Sequence, residues 1–177
     1  MKKLLLVALV LAAPLAFAGD RWLHINVGEA NENIRVSVPL WLVEKMLPIV
    51  HVDGLRHGRI SIGHHHDGIN ARELLDAIRN TADGEFVTVD GRDEQVRVAK
   101  SGGYLLVRTR EGRRGRIENV EIKLPIKVIE AAVAKDKNHL DLGAAIRALS
   151  DHGDLTLVSV ESDKEKVRIW IDGKSRQ

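Results

Sequence analysis

One pattern of residues runs through this chain twice, and that repetition limits its possible folds more than any other feature. Trp22-Leu23-His24-Ile25-Asn26-Val27 is echoed by Tyr104-Leu105-Leu106-Val107-Arg108-Thr109. Ile34-Arg35-Val36-Ser37-Val38-Pro39-Leu40 is echoed by Val120-Glu121-Ile122-Lys123-Leu124-Pro125-Ile126. Each half closes with a charged turn and a short β-rich segment, Gln95-Val96-Arg97-Val98 and Lys166-Val167-Arg168-Ile169. Two copies of one pattern face one packing problem and are expected to solve it alike.

Each copy opens with alternation of period two. Leu23, Ile25 and Val27 share one face of a strand, as do Ile34, Val36 and Val38, with a polar, turn-rich link between them. Leu105 and Val107, then Val120, Ile122 and Leu124, repeat the arrangement. A proline then ends the strand and opens a helix, where its fixed φ and missing N–H are tolerated. Leu40, Val43 and Leu47 fall on one helical face after Pro39. Ile126, Ile129 and Val133 do so after Pro125, with Glu44 and Glu130 also matching. Pro48 stops the first of these helices, whereas Ala131 to Ala134 let its counterpart run longer. A second helix begins at Asn70 with Glu73 in capping-box position, burying Ala71, Leu74, Leu75 and Ile78. Its counterpart follows Asp141 with Leu142, Ala145, Ile146 and Leu149. Two strands close each unit: Phe86 to Val89 with Gln95 to Ala99, and Leu155 to Val160 with Lys166 to Ile171.

The expected fold is therefore α+β: two tandem β-β-α-α-β-β units related by a pseudo-twofold axis. Each is an antiparallel sheet covered on one face by two helices. The units cover residues 19–100 and 101–177 and either sit side by side or share one continuous sheet. Ser101-Gly102-Gly103 is too short to hold them apart.

Residues 1–18 read as an export signal: Lys2 and Lys3, an apolar stretch from Leu4 to Phe17 broken by Pro14, and a small-x-small cleavage site at Ala16-Phe17-Ala18. The stretch is shorter than the roughly 20 residues of a membrane span, so no transmembrane anchor is expected after cleavage. The expected location is periplasmic or secreted. Removing the signal takes two lysines from 27 Lys+Arg against 25 Asp+Glu and leaves the charges balanced, which argues against nucleic acid as a partner. With no cysteine in the chain, disulfides, thiol nucleophiles, thiolate metal sites and lipid attachment at cysteine are all excluded.

A residue that serves only the fold should recur, so the differences between copies are where function is sought. Leu47 to Ala71 spans 24 positions, but Val133 to Leu142 spans 9, so the first copy carries fifteen more residues, near 51–68. This insertion holds five of the eight histidines, among them His51, His57, His64 and His66, and ends with Asp67. Imidazoles in such numbers suit zinc or copper, with Asp67 as a ligand or a partner to one. If extended, the segment projects His64 and His66 to one side, and a hairpin from His51 to Ile62 brings His51 or His57 alongside. The competing reading is a solvated polar loop, since no His-x-x-x-His or His-Glu-x-x-His pattern is present.

The other difference is charge. The first hairpin of the second copy carries Arg108, Arg110, Arg113, Arg114 and Arg116 on what reads as a loop, where the first copy has Glu29 and Glu32. Guanidinium forks suit phosphate and carboxylate. The partners implied are an anionic envelope surface, an envelope protein, or the acidic loop of another copy in self-association. Nothing points to catalysis: no serine has nucleophile-elbow context, and no resident cofactor is implied outside the metal alternative.

The order of strand, charged loop, Val-x-Val-Pro-Leu-x-Leu and helix, then Gly-Glu-x-Val-x-Val, charged turn and Val-x-Val, resembles a small bacterial domain. That domain follows SHOCT-like segments in envelope-stress proteins. The matching stretches are Ile34 to Leu42 with Gly84 to Val98 and, more loosely, Val120 to Val128 with Gly153 to Ile169. The SHOCT-like segment is missing here and a signal peptide stands in its place. The resemblance implies the α+β fold and an envelope setting but attaches no catalytic residues. The expected function is a non-enzymatic binding or interaction protein; the alternative is a periplasmic transition-metal binder.

Overall fold

The computed structural model describes residues 20–29, 32–50, 55–61, 71–113, 116–133 and 139–174. The export-signal segment, His51, His64, His66, Asp67, Arg114 and the proposed cap Asn70 lie outside the described residues. In chain order the elements are β1 (Trp22–Glu29), β2 (Glu32–Pro39), α1 (Leu40–Met46), β3 (Leu55–Arg56), β4 (Arg59–Ser61), α2 (Ala71–Asn80), β5 (Gly84–Asp90) and β6 (Glu94–Ser101). The second half contributes β7 (Tyr104–Arg113), β8 (Arg116–Pro125), α3 (Ile126–Val133), β9 (His139–Asp141), α4 (Leu142–Ser150), β10 (Leu155–Ser162) and β11 (Glu165–Asp172). The prolines act as expected: α1 starts directly after Pro39 and stops before Pro48, and α3 starts directly after Pro125. Asp141 caps α4, its carboxylate accepting from the Ala144 amide at 2.9 Å.

Eight strands form one antiparallel sheet in the order β2-β1-β11-β10-β8-β7-β6-β5. The chain thus takes the continuous-sheet option, and the expectation of one sheet per unit is corrected. The second half is contiguous, with β7, β8, β10 and β11 side by side in the middle. The first half is split around it: β1-β2 lies against β11, and β5-β6 against β7. Alternation could not reveal this, because period two says which face a residue occupies and nothing about which strand lies next to it.

The registers line up one apolar row from edge to edge: Val36, Ile25, Ile169, Val158, Ile122, Val107, Val98 and Val87. The neighbouring row on the other face is polar throughout: Arg35, Asn26, Arg168, Ser159, Glu121, Arg108, Arg97 and Thr88. Each half also carries one β-bulge, at Phe86 in β5 and at Leu157 in β10.

The helices interleave as the strands do. α3 and α4 pack together in the middle, α1 lies against α4, and α2 against α3. One core cluster joins Leu40, Val128, Leu149, Leu155, Leu157 and Ile171. A smaller one joins Leu75, Ile126 and Val133. Ile171 is fully buried and Leu40 is 1% exposed, so the covered face of the sheet is the one bearing Leu23, Leu124 and Ile171. On α3 the expected stripe widens: Val128 and Ala132 are buried with Ile126 and Val133, and Ile129 is packed at the border.

Part of the insertion is anchored. β3 and β4 form a tight hairpin, and β4 pairs with β9 to make a second, three-stranded sheet, Ile60 opposite Leu140. Its turn, His57-Gly58, has positive φ at both residues (52° and 73°), as a two-residue hairpin of primed type requires. Gly58 is buried, and its carbonyl accepts from the Leu142 amide at 2.9 Å. The expected hairpin from His51 to Ile62 is therefore shifted, with its turn at His57-Gly58; residues 51–54 and 62 of that expectation lie outside the described residues. Leu140 packs onto the Leu75–Ile126–Val133 cluster, so the insertion ties the split first half to the second.

Candidate functional site

Among the sequence-derived histidine ligands, the described residues include only His57. It sits exposed at the β3–β4 turn and lines a cavity of about 320 Å³ with Glu44, Asp141 and Arg147. Arg147 is held by Glu44 at 2.6 Å. Among the described residues no three His, Asp or Glu side chains converge as a metal centre would need.

The arginine segment is strand rather than loop. β7 and β8 pair residue for residue out to Arg113 opposite Arg116, leaving two residues between them. Its charge and glycines disguised a hairpin held by its ladder. Arg110 is exposed and lines a cavity of about 360 Å³ on the polar face with Arg97, Arg108, Glu121 and Glu161. Arg97 already lies 3.3 Å from Asp90 and 3.5 Å from Glu85, and Arg108 is 3.5 Å from Glu121. Carboxylates thus answer most of the positive charge in this groove. Arg110 makes no ion pair among the described residues.

The most constructed polar site is one that sequence reasoning passed over. His24, in the middle of β1, is 1% exposed, and Asp172, at the end of β11, is 6% exposed. His24 Nε2 lies 3.0 Å from Asp172 Oδ1, and His24 Nδ1 lies 2.8 Å from Ser37 Oγ on β2. Trp170 stacks on the imidazole, centroids 4.9 Å apart and planes 19° from parallel, and its indole N–H donates to Asp172 Oδ2 at 3.1 Å. The Lys174 amide donates to Asp172 Oδ1 at 2.8 Å, and Arg168 lies 5.0 Å over the Trp170 ring. Burial alone would raise the Asp172 carboxyl. Hydrogen bonds from Lys174, His24 and Trp170, with attraction to the imidazole, outweigh it and hold the group below its ordinary value.

Hydroxyl, imidazole and carboxylate in line are the parts of a proton relay. Here Nδ1 faces the hydroxyl and Nε2 the acid, the reverse of the usual serine-hydrolase order. The enclosed ring joins side chains from β2, β1 and β11, across the seam where the N-terminal hairpin meets the C-terminal strand. The equivalent seam, β8-β7-β6, has Leu106, Lys123, Ala99 and Ser101 at the corresponding positions. That position-by-position contrast was the signal available in the sequence.

Fold and site together define an α+β protein: a helix-backed antiparallel sheet whose first and last long strands are joined by a buried polar cluster. Residues 21–99 match the family model for the YvlB-like protein, C-terminal domain, a small bacterial domain. The match takes in 79 residues, less than half of the chain, and runs from the start of β1 into β6. No curated protein and no solved structure matches the chain.

Proposed function

We propose that this chain is an exported, non-enzymatic interaction protein of the bacterial cell envelope, periplasmic or secreted, engaging its partner along the edges of its sheet. The observation that carries the reading is the pair of edge strands, β2 and β5, at the two ends of the sheet order, each paired on one side only among the described residues. Such an edge presents a row of N–H and C=O groups ready to accept another strand. These two also carry exposed β-branched residues on the apolar face of the sheet, Ile34 and Val36 on β2 and Val87 and Val89 on β5. The signal-like residues Lys2, Lys3 and Ala16-Phe17-Ala18 support export, and the YvlB-like match supports a bacterial setting.

The test is made in cells. Fractionation with N-terminal sequencing should place the protein outside the cytoplasm, starting at Gly19. A photoreactive residue at Ile34 or Val87 should yield a covalent adduct on illumination, and one at Arg108, inside the sheet, should not. A cytoplasmic protein with an intact leader, or the absence of adducts at both edges, would refute the reading.

A further inference from the structure

The two halves repeat their strand pairings, and one pairing has no second occurrence. The β1–β2 register recurs in β7–β8, with Ile25 opposite Val36 and Val107 opposite Ile122. The β5–β6 register recurs in β10–β11, bulge included, with Val87 opposite Val98 and Val158 opposite Ile169. The β1–β11 register recurs in β7–β6, with Ile25 opposite Ile169 and Val107 opposite Val98. The β8–β10 pairing, Ile122 opposite Val158 and Val120 opposite Val160, stands alone. Its counterpart would join β2 to β5, the two edge strands of the described sheet.

We infer that β2 of one copy of this chain pairs with β5 of a second copy, in the register that β8 and β10 already use. This inference rests on the interaction reading above and names the partner. In that register Val36 lies opposite Val87 of the second copy, and Ile34 opposite Val89, so the apolar row that crosses the sheet continues from chain to chain. The directions agree. Every neighbour in the sheet is antiparallel, so β2 and β5 run oppositely and a new antiparallel ladder forms with the apolar faces on one side. The helices carry the same gap. α3 and α4 pack together while α1 and α2 lie on opposite flanks. Met46 on α1 is 49% exposed, where the matching Ala132 on α3 is 8% exposed. Leu74 on α2 is exposed, where Ala145 on α4 packs on the core. Every large apolar residue that stands exposed among the described residues, Ile117 excepted, belongs to the first half.

Among the described residues of one chain, β2 and β5 stand at opposite ends of the sheet order and do not pair with each other. Pairing between chains brings them together without closing the sheet on itself. Two reciprocal junctions, β2 to β5 and β5 to β2, satisfy every edge in a twofold dimer; one junction repeated head to tail gives an open chain. Either way, the YvlB-like stretch, split within one chain, is completed between two.

The absence of native cysteine makes the test direct. Ile34→Cys protein and Val89→Cys protein are refolded together and treated with a short bis-maleimide. The expected product is a covalent dimer found in the mixture and not in either protein alone, and native protein should sediment at twice the chain mass or more. Val87→Lys/Val89→Lys is expected to give monomers with unchanged circular dichroism and no cross-link. Native protein that stays monomeric with an unreactive mixture overturns the inference, as does an Ile34→Cys/Val89→Cys chain that cross-links only within itself. If cellular adducts at Ile34 and Val87 then contain a different polypeptide, the interaction reading stands and self-pairing alone fails; no edge adducts at all sink both.

Discussion

Replacing His24 by leucine, the residue at the corresponding position of the other half, tests whether the buried cluster holds the two ends of the fold together. The change removes the bonds to Ser37 and Asp172 and the stack on Trp170, while Asp172 keeps its donors from Trp170 and Lys174. Removing one partner of a buried hydrogen-bonded group costs about 1–3 kcal/mol, and more when the group left behind is a carboxylate. The retained donors place His24→Leu at about 3 kcal/mol, or roughly 10 °C in Tm for a chain of this size. Urea unfolding at pH 7 measures it. Because His24 and Asp172 touch, the double variant His24→Leu/Asp172→Ser should cost less than the two singles added, with coupling of about 1–3 kcal/mol.

The pH dependence has a definite sign. The folded-state value of Asp172 lies below its ordinary value, so its stabilisation is complete above the unfolded-state value of about 4. It is lost as pH falls through the lower folded-state value. The gap between native protein and Asp172→Asn should therefore close on acidification. A His24→Leu variant within about 0.5 kcal/mol of native, the scatter of ordinary surface changes, or strictly additive singles, would refute the reasoning.

Three further outcomes follow from particular residues. Leu40→Ala should cost about 3 kcal/mol because its site is closed on all sides, whereas the neighbouring Trp41→Ala, half exposed, should cost under about 1 kcal/mol; chemical denaturation of both checks the helix face. Gly58→Ala should destabilise by about 1–2 kcal/mol, since φ is +73° and the new Cβ would sit 3.3 Å from Leu47 Cβ, and hydrogen exchange should rise first in β3, β4 and β9. Elemental analysis of tag-free mature protein should return less than one zinc or copper per chain; a stoichiometric metal that His64→Ala/His66→Ala abolishes would replace the interaction reading with the metal-binding one.

Much of the architecture was legible because the chain writes it in period. Leu23-Ile25-Val27 and Val120-Ile122-Leu124 announced strands, Pro39 and Pro125 placed two helix starts, and the last helix was placed after Asp141. Adjacency was not legible, since nothing in Val36 or Val87 records which strand lies beside it. The short strands β3, β4 and β9 offered two or three residues each, too few for a period to show. The arginine hairpin was misread because strand pairing overrode residues that individually favour solvent. The His24 cluster was hidden for a different reason: its members are 13 and 148 residues apart, and each alone is an ordinary polar residue on the outer face of a strand.

The pairing of β1 with β11 also bears on when this protein can fold. Leu23 finds its neighbour Ile171 only after nearly the whole chain has been made, and until then the β1–β2 hairpin has no sheet to join. Isolated hairpins are at best marginally stable in water, so a nascent N-terminal segment stays extended while the remainder emerges from the ribosome. On the export proposed above, that order of events would favour passage through a narrow translocation channel. The segment entering first would be the one least able to fold early, and Asp172 would close on His24 only after both had crossed.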